Sequence, residues 1–79
     1  MTVGVVVRGA ARAEEALRAA LGLTSVGGKV VCAVVCEGGV PESREAARHV
    51  ETLRLLGHEV GGAELVRRAL AGDVVEVWR

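Results

Sequence analysis

The stretch "VVCAVVCEGGV", residues 30–40, decides the fold. From Lys29 to Val35 the chain is continuous, apolar and rich in valine. Val30, Val31, Val34 and Val35 argue against a helix, where a β-branched side chain loses rotamer freedom against the preceding turn. A strand covered on both faces has this composition, as in parallel sheets. Glu37, Gly38 and Gly39 then break the run. The chain's only two cysteines, Cys32 and Cys36, lie in this stretch. Residues four apart on a strand share a face and stand about 13 Å apart at ~3.3 Å per residue. A disulfide needs Cα atoms within ~7 Å. Two ligands of one zinc need similar closeness, and no supporting Cys or His set is present. The pair is therefore neither an internal disulfide nor a metal site, and neither metal nor cofactor is expected.

Outward from this strand, the chain alternates. "TVGVVVRG" (2–9) reads as a buried strand stopped by Gly9. "AARAEEALRAALG" (10–22) carries an apolar stripe of Ala13, Ala16, Leu17, Ala20 and Leu21 at helical spacing, with Gly22 as its stop. "LTSVGG" (23–28) is a connector. Pro41 suits the first turn of a second helix, which runs to about Leu56 and ends at Gly57. Its inward residues are Ala46, Ala47, Val50, Leu53 and Leu56. "HEV" (58–60) is a minimal strand, "AELVRRALA" (63–71) a short helix and "DVVEVW" (73–78) a last strand. The order βαβαβαβ predicts one α/β domain over residues 1–79. Its four-stranded sheet is parallel, with helices on both faces and right-handed crossovers.

The two thiols differ on this reading. Cys32 is a buried, inert mid-strand thiol. Cys36 lies at the carboxyl end of a parallel strand, where open α/β sheets place ligands. A helix follows a few residues later, and its positive end would lower a thiol pKa. Cys36 is thus either a second core residue or a reactive nucleophile. Arg8 and Gly9 end the first strand, and Arg12 follows in the next helix. Cations at a helix N-terminus oppose its dipole unless an anion sits between them, so these residues are either an anion site or solvated arginines. Gly38 and Gly39 either let a backbone approach a ligand or supply a turn. Trp78 is the expected subunit contact.

Composition narrows the partners. Ten basic and ten acidic residues cancel, which gives no basic footprint for nucleic acid. No apolar run reaches the ~20 residues of a membrane span, and no signal peptide opens the chain. The expected compartment is the cytoplasm. Hydrophobic residues make up 51% of a chain too short to bury them all. Oligomer formation is the expected outlet.

The opening "VGVVVRG" with "AEEALRAALGL", then "GGKVVCAVVCEGGV", then "LRLLGHEV" with "ELVRRALAGDVVEVW", together resemble the DsrE/DsrF/DsrH-like group. That group includes the small sulfur-relay subunits of the TusB, TusC and TusD type. The resemblance implies a flavodoxin-like α/β/α sandwich, homomeric or mixed oligomers, and in some members a cysteine that carries a persulfide. Sulfur-carrying members place that cysteine in other segments, where this chain has none. Two functions follow as expectations. One is a subunit or accessory of a sulfur-relay system, with Cys36 as candidate persulfide acceptor and a sulfurtransferase or related subunit as partner. The other is a non-catalytic oligomeric binding module with Cys36 packed. Spacing alone leaves open whether the chain is an enzyme.

Overall fold

A computed structural model describes the backbone of residues 1–24 and 30–79, and the side chains of these except 24 and 30–32. Among the described residues four strands and three helices alternate. They are β1 (Thr2–Val7), α1 (Ala13–Thr24), β2 (Val30–Cys36), α2 (Arg44–Leu55), β3 (Glu59–Gly61), α3 (Val66–Leu70) and β4 (Val74–Trp78). Short 3-10 turns, Ala10–Arg12 and Ala63–Leu65, lead into α1 and α3. All strand pairs are parallel, and the sheet order is β3-β2-β1-β4. The expected α/β/α sandwich is therefore present, and the strand order, which the sequence left open, is supplied.

The order explains the layers. From β1 through β2 to β3 the chain steps one way across the sheet; from β3 to β4 it steps back past β1. Right-handed crossovers then put α1 and α2 on one face and α3 on the other. The buried clusters divide accordingly. Val3, Val5, Val7, Val34, Cys36 and Val60 pack with Ala16, Leu17 and Ala20 of α1 and Ala46, Val50 and Leu53 of α2. Val6, Ala33 and Val35 pack with Ala69 on the other face. Alternate residues of β1 serve both cores, which is why "VGVVV" is apolar throughout.

Several boundaries differ from the expectation. Gly22 does not stop α1, which continues to Thr24. The connector residues 25–28 lie outside the described residues. The second helix starts at Arg44, not Pro41, because the Ser43 hydroxyl accepts the Ala46 N–H at 3.1 Å. Its end is as expected. Gly57 has φ +89°, the His58 N–H donates to the Leu53 carbonyl, and the Gly57 N–H donates to the Arg54 carbonyl. Ala47 and Leu56, expected inward, are exposed. The core of α2 is the narrower stripe Ala46, Val50 and Leu53. In β2 the register slips between Val3↔Val31 and Gly4↔Ala33, leaving Cys32 as an extra residue in the ladder. The side chain of Cys32 lies outside those described.

Candidate functional site

At the carboxyl end of the sheet, Val7 is the partner of both Cys36 and Trp78. These three neighbours belong to the face that carries α1 and α2. The chain leaves the sheet here in two loops, Arg8-Gly9 after β1 and Glu37-Gly38-Gly39 after β2. The loops are tied to the sheet by the main chain. The Arg8 N–H donates to the Trp78 carbonyl at 2.7 Å, and the Glu37 N–H to the Val7 carbonyl at 2.9 Å. The Gly39 N–H closes a turn on the Cys36 carbonyl at 2.9 Å. Gly39 sits at φ +95°, so it supplies the turn conformation that side chains resist. Gly38 lies against Ala10, where a Cβ would be 3.4 Å from the Ala10 backbone nitrogen. A Cβ there would meet Ala10 at ordinary contact distance, so the two loops touch here without requiring a glycine.

The arginines meet carboxylates of their own chain. Arg8 Nε pairs with Glu37 Oε1 at 3.1 Å. Arg12 pairs with Glu15 Oε2 at 3.4 Å, and its guanidinium carbon lies 4.8 Å from the centre of the Trp78 ring. The first turn of α1 also holds Glu14 and Glu15, and that of α2 holds Glu45. These carboxylates answer the positive helix ends locally. Of the candidates, Arg8, Gly9 and Gly38 are thus drawn around one loop junction, while Arg12 is drawn to Trp78.

Cys36 is 1% exposed and belongs to the larger core cluster. Burial pushes its thiol pKa up, because a thiolate there would lose its hydration. This reverses the lowering expected from the start of α2. The helix begins eight positions further on, at Arg44, and desolvation is what acts on the thiol. Among the described residues no buried side chain is polar or charged, and no cluster of three His, Cys, Asp or Glu could hold a metal ion. No helix among them is long and apolar enough to cross a membrane.

Two features escaped the sequence reading. Ser43 joins the starts of both helices, since its hydroxyl donates to Glu14 Oε2 at 2.9 Å while accepting from Ala46. The signal was a serine directly before an acidic first turn. The second is an apolar groove along α2, lined by Val40, Pro41, Ala47, Val50, Arg54 and Leu55. Leu55 is 80% exposed beside it. Leu55, outside the stripe expected to face inward, was a trace of it. The groove lies on the α2 flank; Val40 in its lining directly follows Gly39, while Arg8, Gly9 and Arg12 do not line it. The chain matches no family model, no curated protein and no solved structure.

Proposed function

We propose that the protein is a non-catalytic, oligomeric interaction subunit in which Cys36 does no thiol chemistry. In the sulfur-relay setting that the DsrE-like resemblance implies, it would be a partner of a sulfur carrier rather than the carrier. The observation that carries this reading is the burial of Cys36. Sulfur transfer needs a thiolate at the surface of the carrier, where a donor can approach the sulfur in line. Cys36 has no access and, among the described residues, no partner that would stabilise its charge. Its place in the core is that of a small hydrophobe. Exposed Leu55, Leu56, Leu70 and Val77 supply apolar surface suited to contact with other chains.

The test is site-resolved labelling of the folded protein. A maleimide and, separately, a persulfide donor are applied, and peptides are weighed. Cys36 should stay unmodified until the protein is denatured. A persulfide on Cys36 in the native state, absent from Cys36→Ala, would overturn the reading and restore the carrier.

A further inference from the structure

We infer that two copies of this chain pair through β4, edge to edge and antiparallel, to make one continuous eight-stranded sheet. This rests on the oligomeric reading above and gives that oligomer its surface and register.

The two edges of the sheet are treated differently. β3 is only three residues long. Arg54 donates to the Val60 carbonyl at 2.8 Å, and Arg68 pairs with the Glu59 carboxylate at 2.7 Å. Short length and attached charges are how natural edges are closed to further pairing. β4 is less protected: it is longer, and Glu76 is its one charged residue. Four of its five residues in "VVEVW" are strong strand formers, and it holds no proline or lysine. Among the described residues no strand pairs with its outer side. Val77 is 52% exposed on the α3 face, because α3 lies over β1 and β2. An open edge with apolar side chains is a template for another strand.

Charge selects both the occupant and the register. A two-fold axis through the sheet pairs the strand with itself and keeps each face continuous. Centring the axis on Glu76 would place that carboxylate directly opposite its own copy, which is destabilising. Centring it on Val75 would set Asp73 against Val77, and Asp73 is already bound to Thr2. Centring it on Val77 puts Glu76 opposite Trp78 of the second copy, whose ring lies under the Arg12 guanidinium. Each Glu76 then meets Arg12 of the other copy, a guanidinium that also pairs with its own Glu15 at 3.4 Å, twice by symmetry. On the opposite face the two Val77 side chains meet each other. Trp78 enters the contact through the cation stacked on it.

Sedimentation of the full chain over a concentration series tests this, together with oxidative cross-linking. Wild type should be a dimer. Glu76→Lys and Arg12→Glu should each raise the dissociation constant at least tenfold, and the double exchange should recover most of the loss. That recovery also shows that the single variants fail at the contact and not in folding. Val77→Cys should oxidise to a covalent dimer, since directly opposed antiparallel residues stand close enough for a disulfide, whereas Val75→Cys should not. An oligomer unaffected by these changes, and not cross-linked through position 77, would overturn the register while leaving the oligomeric reading intact. A monomer throughout would overturn the pairing and oligomer formation together, while the Cys36 labelling result would stand on its own.

Discussion

Gly4 sets the distance between the sheet and its sparser helix layer. A Cβ at this position would fall on the carbonyl oxygen of Ala69, which is backbone and cannot swing aside. Gly4→Ala therefore has to lift α3 from β1, loosening the contact of Ala69 with Val6, Ala33 and Val35. The expected loss is about 1–3 kcal/mol, as for other overpacked cores. It should appear as a lower urea midpoint with an unchanged slope; an unaltered midpoint would show that α3 moves freely. A glycine inside a valine run signals a close backbone approach, but nothing near it in the sequence says which backbone arrives. Cys36 has the same limit. Its place at a strand end was legible from "CEGG". Its depth was not, because the cover comes from α1, α2 and Val40.

Among the elements, α2 shows which boundaries are local. Gly57 was readable as a stop because the residue that ends the helix also supplies the backbone conformation. The start was misplaced because Pro41 and Ser43 both suit a helix beginning, and only the hydroxyl's bond to the Ala46 N–H decides between them. Ser43→Ala should cost about 1 kcal/mol, within the usual range for a lost N-cap. Amide exchange at Ala46 should quicken more than at Leu53, deeper in the helix. Equal protection at Ala46 in both proteins would mean that the cap is dispensable. The alternation of strands and helices was legible throughout, because runs such as "KVVCAVV" and "AEEALRAAL" differ plainly in branching and period. The exposed Leu55 and Leu56 were harder to place. An apolar stripe at the end of a helix has the same spacing whether it meets a core or solvent.

For the whole molecule, the sheet order could not be read from the chain, since right-handed crossovers permit more than one arrangement of four parallel strands. What joins β4 to β1 is long-range: five rungs from Val3↔Val74 to Val7↔Trp78, closed at one end by Asp73. Its carboxylate accepts from the Thr2 N–H at 2.9 Å and from the Thr2 hydroxyl at 3.3 Å. These bonds hold its pKa below the usual aspartate value. A depressed folded-state pKa means stability that is present above the unfolded value of about 3.9 and is lost as pH falls through the lower folded value. Asp73→Asn should be less stable than wild type at neutral pH, and the gap should close as acid protonates Asp73. Parallel stability curves from pH 7 to pH 2 would sink this assignment. The adjacency of β1 and β4 also has a mechanical consequence. The strands run parallel, so Thr2 and Trp78 lie at opposite ends of the paired segment. Tension between those residues loads the rungs together, in shear. Tension between Thr2 and Val74, at the same end, opens them one after another. Pulled in an optical trap, the first attachment should give a single rupture at high force, and the second a gradual yielding at low force.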